Sequence, residues 1–172
     1  MTTFTRLLLV AAVASLLATP MVLAQAPDEK QRAELAAALT TAKLSLDRGF
    51  AVSRTRGKPV SGKYEVEEGR LRLSVYVATG DQSSEVIVDH ATGKVTKVER
   101  IHEGADLTAA KSQQEAMSKA KKSLQAATAK AVKANKDYRA VSVVPEMMNG
   151  HPCAEVTMVK GSDWMTISER LD

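Results

Sequence analysis

One cysteine, Cys153, in 172 residues leaves no partner for an internal disulfide and no ligand set for a cysteine-rich zinc or iron–sulfur centre. Three histidines are few for a metal triad or a nucleophile–base pair, and no G-x-S-x-G, H-E-x-x-H or P-loop pattern accompanies them. Aromatic residues make up 3% of the chain, and 24 Lys and Arg stand against 20 Asp and Glu. A formal charge of +4 with so few stacking side chains argues against nucleic acid as a partner. Beyond the N-terminal region no apolar run is long enough to cross a bilayer. What remains, 44% hydrophobic and 26% charged residues, suits one or two small packed domains.

Arg6 precedes an apolar run over residues 7–17, and small residues follow Pro20 and Met21. This is the order of a secretory signal. Cleavage after Ala26 would put Pro27 first, so Val22-Leu23-Ala24 is the better site. The expectation is a signal peptide over 1–24 and a periplasmic or secreted product.

The rest of the chain repeats itself. An offset of 78 pairs Ala38, Ala42, Lys43, Ser45 and Leu46 with identical residues at 116, 120, 121, 123 and 124. Further on the offset becomes 81, pairing Gly69 with Gly150, Val75 with Val156 and Gly80 with Gly161. The glycines are at turn positions, so these matches carry more weight than alanines in a helix. A first unit over 25–101, a linker over 102–111 and a shorter second unit over 112–172 follow.

In the first unit Leu35, Leu39, Ala42, Leu46 and Phe50 recur at helical spacing, predicting one helix from about Lys30 into the low fifties. Alternating strands follow. A turn at Glu68-Gly69 sets Val66 opposite Leu71 and Tyr64 opposite Leu73, with Glu67 facing Arg70 and Glu65 facing Arg72. A turn at Gly80-Asp81 sets Val75 opposite Val86, Leu73 opposite Val88 and Tyr76 opposite Glu85, and brings Arg72 to Asp89. A fourth strand is expected over 94–101. In the second unit Ser112-Gln-Gln-Glu115 reads as a capping box opening a helix that runs to about Ala134. Asn149-Gly150 then pairs Val143 with Val156 and Val141 with Met158. The fold class is α+β: two tandem units, each a helix packed on a three- or four-stranded antiparallel β-sheet, with the helices over the face carrying Leu73, Val75, Val88, Val143 and Val156.

The run 57–69, Gly-Lys-Pro-Val-Ser-Gly-Lys-Tyr-Glu-Val-Glu-Glu-Gly, and the ending Val88-Asp-His-Ala-Thr-Gly-Lys-Val95 resemble the PepSY domain family with its V-D-x-x-T-G-x-V close. Ser112-Gln-Gln-Glu115-Ala116 is similar to the family's S-x-x-E-A opening. The resemblance implies an exported, non-catalytic module without a cofactor, one that inhibits or chaperones a secreted peptidase or cell-wall hydrolase.

Two sets of candidate residues follow. The sheet face left by the helices carries Arg72, Tyr76 and Glu85 in the first unit and Trp164 in the second, a charged surface with two aromatic anchors for a protein partner. His151-x-Cys153-x-Glu155 puts imidazole, thiol and carboxylate on one side of a strand, with Glu146 and Met148 opposite, a set that suits a soft metal. The alternative function is accordingly a small periplasmic binder of a metal or an envelope ligand. Lys119, Lys122, Lys130 and Lys133 fall near one side of the expected second helix and would serve an anionic polymer, lipid headgroup or acidic partner.

Overall fold

The computed structural model describes residues 28–172; the expected signal peptide lies outside them. Four helices, α1 (Glu29–Leu39), α2 (Leu46–Ser53), α3 (Gly104–Lys119) and α4 (Leu124–Ala134), accompany seven strands. These are β1 (Lys58–Glu67), β2 (Arg70–Thr79), β3 (Gln82–Val88), β4 (Val95–Ile101), β5 (Arg139–Met148), β6 (His151–Lys160) and β7 (Asp163–Arg170). The strands form one antiparallel sheet in the order β4-β3-β2-β1-β5-β6-β7. The α+β class therefore holds, but the expected pair of tandem units, each with its own helix-covered sheet, is corrected. Two meanders meet edge to edge at β1 and β5 and share one sheet.

The hairpin registers follow from turn chemistry. Glu68 and Gly69 both take positive φ, as do Asn149 and Gly150, the conformation that closes a two-residue hairpin with the right twist. Tyr64–Leu73, Val66–Leu71, Val75–Val86, Leu73–Val88, Tyr76–Glu85 and Val143–Val156 pair as expected. Met158 faces Ala140 rather than Val141, because the strand is irregular between Ala140 and Ser142 and Val141 is the extra residue. β1 is irregular between Pro59 and Ser61, around Val60. Val60 and Val141 lie 81 positions apart, so the two halves repeat even their bulges.

The helices depart from expectation. Each half has two, because tertiary hydrogen bonds break the helical run. Thr40 and Thr41 turn their hydroxyls back to Ala37 O and Ala38 O at the end of α1, and Lys43 N and Leu44 N donate to His90 O. In the second half Lys121 N and Lys122 N donate to Leu171 O. Donors 78 apart thus meet acceptors 81 apart. The next helices open on equivalent caps: Ser45 accepts from Arg48 N, and Ser123 from Ala126 N. The expected helix start at Ser112 is corrected as well. Ser112 sits inside α3, whose run of alanine and long polar side chains begins at Gly104, so the linker shrinks to a few residues.

The three added residues that shift the offset from 78 to 81 lie between α4 and β5. Residues 135–138 stand there, where Gly57 alone follows the short 3-10 turn after α2. The turn 89–93, which carries the family-like motif, has a structural job. Asp89 Oδ1 accepts from Ala91 N and Thr92 N at 2.8 Å each, shaping the loop whose His90 carbonyl anchors the α1–α2 corner. In the second half, which lacks that turn, Leu171 takes the place of His90.

One face of the sheet buries Leu73, Val75, Val77, Val86, Val88, Val143 and Val156, with Leu35, Leu39, Leu46, Phe50, Leu124, Ala127 and Ala131 of α1, α2 and α4 completing the core. The aliphatic rows are covered as the alternation requires. The reverse face is not left free, however. α3 lies against it, where Ser61 Oγ donates to Gln113 Oε1 and Gln114 Nε2 donates to Ser83 Oγ, both at 2.6 Å. Ser61 and Ser83 are buried, so these bonds replace the water they lose.

Gly62 is the one residue small enough for the junction. A Cβ there would stand 2.8 Å from Phe50 Cε1 and 3.4 Å from Leu46 Cδ1. Gly62→Ala is expected to destabilise the fold by about 1–3 kcal/mol through overpacking, and adding Phe50→Leu should recover part of the loss. Denaturant unfolding of both variants checks this; equal stability of wild type and Gly62→Ala would refute it.

Candidate functional site

The register brings Arg72, Ser74, Tyr76, Lys63, Glu65 and Glu85 onto the reverse face, and β4 adds Lys97 and Glu99. Arg72 is the hub. Its side chain is 18% exposed and pairs with Glu67, with Glu85 at 3.4 Å and with Glu99 at 3.8 Å. Asp89 is not among its partners, contrary to the expected register, because that carboxylate closes its own turn. Glu65 opposes Arg72 in the strand pairing but accepts from Ser74 Oγ at 3.2 Å and pairs with Lys63 at 2.6 Å. Arg72 Nε is buried without a hydrogen-bond partner.

These side chains line an open groove of about 450 Å³ beside α3. Six carboxylates reach it, from Glu65, Glu67, Glu68, Glu85, Glu99 and Asp106, against three cations, from Lys63, Arg72 and Lys97. The excess of carboxylates gives the groove a negative charge. The hairpin register put Glu85 on the face of Arg72, opposite Tyr76. Glu67 was expected to face Arg70, and Glu99 was not placed: the register carried straight across the Asp89 turn sets Val98 opposite Glu85, and an irregularity between Ile87 and Val88 brings Glu99 there instead.

Tyr76 is placed on the expected face but is not a free anchor. Its ring borders a cavity of about 260 Å³ shared with Ala109, Ala110 and Gln113 of α3, and Lys63 Nζ lies 6.0 Å from its centroid. Burial pushes the phenol's pKa up, with the Lys63 charge opposing. Trp164 is half-buried too. It stands against α1, with the Arg32 guanidinium 5.8 Å from the ring centroid. Both aromatics have covers that came from helices the sequence did not put there.

His151, Cys153 and Glu155 alternate along β6 as expected, opposite Met148, Glu146 and Val144. Their polar ends go different ways. His151 Nδ1 lies 2.7 Å from Asp172 Oδ2, a carboxylate that Arg170 also holds. Those contacts, Arg170 first, keep the Asp172 carboxyl well below the usual range. Cys153 is buried, and Glu155 lies diagonal to Glu146, whose own carboxyl is pushed up by burial and then by the Glu155 charge. Among the described residues no three His, Cys, Asp or Glu side chains converge as metal ligands.

The lysine face also disperses. Lys119 pairs with Glu115 at 2.9 Å, Lys130 with Glu169, and Lys122 donates to Asp172 O at 2.7 Å. A different basic surface forms where α2 meets the α3–α4 corner. There Arg54, Lys58, Lys121 and Lys122 line a groove of about 520 Å³ with an apolar floor of Phe50, Met117 and Leu124 and no carboxylate. Sequence spacing could not show it, because its residues come from both halves. No helix among the described residues is long and apolar enough to cross a membrane.

Comparison with family models, curated proteins and solved structures finds no match to the chain.

The Glu146–Glu155 pair gives a titration test. Glu146 has its folded pKa above the unfolded value, so its protonation favours the fold and that contribution is lost as pH rises through the folded pKa. Glu155→Gln is expected to bring the Glu146 pKa down toward the ordinary carboxylate value in a side-chain carboxyl NMR titration, and an unmoved midpoint would rule out coupling between the two.

Proposed function

We propose that the chain is an exported, non-catalytic binding module of the PepSY-like kind, which inhibits or chaperones a secreted peptidase or cell-wall hydrolase. The observation that carries this reading is the Arg72 groove. One poorly exposed guanidinium there is shared among three carboxylates, within a surface holding twice as many acids as bases. The more exposed pairs around it, Lys63–Glu65 and Lys97–Glu99, are worth under about 1 kcal/mol each, so those carboxylates can exchange for a partner's lysine or arginine at little cost. Complementary charge then selects the partner and speeds its arrival.

A second reading, a binder of anionic envelope ligands, has the basic groove in its favour. Arg54, Lys58 and Lys121 ring an apolar floor there, a combination that suits an anionic headgroup on a short apolar body.

The readings separate experimentally. For the first, the purified protein should lower or protect the activity of a hydrolase captured from the periplasm or culture medium. Glu85→Lys with Glu99→Lys should weaken that binding by about tenfold or more, through lost complementarity. Failure to act on any captured hydrolase would overturn the first reading. Binding to vesicles of anionic phospholipid that Lys58→Glu with Lys121→Glu abolishes would favour the second.

A further inference from the structure

Among the described residues the sheet ends in two edge strands, β4 and β7, and they are not alike. β3 and β7 are equivalent strands: Gln82 and Asp163, their first residues, lie 81 positions apart. In the first half the outer edge of β3 is covered by β4. Among the described residues no strand covers β7 in the second half, which leaves its row of outward backbone N–H and C=O groups uncovered there. Long uncovered edges recruit further strands unless charge or shape prevents it.

Charge guards only one of them. β4 carries Lys97, Glu99 and Arg100 among its seven residues, and its middle five are all exposed. In β7 the five residues from Trp164 to Ser168 bear no charge. Its three charged residues, Asp163, Glu169 and Arg170, sit at the ends of the strand. Pairing β4 of one molecule with β7 of another would be head to tail and would propagate without closing. The charges on β4 oppose that route. Pairing β7 with itself closes after two molecules.

The chain already contains such a joint. Gly62 of β1 pairs with Val143 of β5, the residue 81 positions on, and Lys63 pairs with Ser142, the equivalent of Ser61. The halves therefore meet antiparallel about a pseudo-two-fold axis normal to the sheet, as two copies of one chain do in a two-fold dimer.

We propose that β7 pairs antiparallel with β7 of a second copy, joining the two sheets into one of fourteen strands. A two-fold axis normal to the sheet keeps like faces together, so residues opposite each other must lie on the same face. Centring on Thr166 would set Asp163 against Glu169, a repulsive pair. Centring on Ile167 avoids this. It sets Thr166 opposite Ser168, both exposed, and Trp164 opposite Arg170, aromatic against cation.

Sedimentation equilibrium of the full chain tests the proposal. Wild type is expected to dimerise at tens of micromolar. Thr166→Lys with Ser168→Lys places lysine against lysine twice across the axis and should weaken the dimer by about tenfold or more. Thr166→Lys with Ser168→Glu, equally substituted but with opposite charges facing, should restore it. Circular dichroism melting tracks folding in all three. A wild type that stays monomeric at these concentrations, a dimer that the double lysine leaves intact, or failure of the charge swap to restore association would each overturn the proposal, including the case in which β7 takes a strand from another protein instead.

Discussion

The contact of Phe50 with Gly62 is the constraint on which the rest of the molecule depends. β1 and β5 are the central strands, and only through them do two meanders become one sheet. Phe50 and Gly62 are both buried there, and the aromatic ring occupies the volume a side chain at 62 would need. The equivalent positions in the second half carry the opposite size pattern, with Thr128 on the helix and Val143 on the strand. Large and small are exchanged across the axis, which lets the layers interlock at the density of a close-packed interior. Arg139 adds a polar tie across the same joint. Its guanidinium donates to the carbonyls of Leu39, Ala42 and Leu44 and stands 5.4 Å from the Tyr64 ring, whose hydroxyl also donates to Leu44 O.

What could be read in the sequence was what local chemistry decides. Glu68-Gly69, Gly80-Asp81 and Asn149-Gly150 set hairpin registers, and a register assigns every residue to a face, so Arg72 and Glu85 were recoverable as members of one face. Bulges were not recoverable. Val60 and Val141 are buried apolar residues among others, and a period of two has no mark for one residue too many. The helix breaks at 40–45 and 120–123 were hidden for another reason. The groups that end those helices, His90 O and Leu171 O, lie far along the chain.

The position of α3 was the largest miss, and it changed the site. Hydrophobic alternation finds a face that is covered by apolar contact, whereas α3 holds the reverse face partly through Gln113, Gln114 and two buried serines. Polar residues at such positions read as solvent-exposed. Tyr76 consequently passed for a bare anchor when it is packed beside a helix. The same helix brings Asp106 to the acidic groove.

The anchoring of each helical corner to a carbonyl some fifty residues downstream has a consequence for the order of events during synthesis. On an emerging chain the corner before α2 has no acceptor until the turn bearing His90 has been made, and the corner before α4 has none until Leu171 appears. Neither half can set its helices first and hang strands on them afterwards. Each must finish its meander before its corner locks: the first corner gains its His90 anchor while the second half is still being translated and its Arg139 tie only later, and the second gains its anchor only after its final strand.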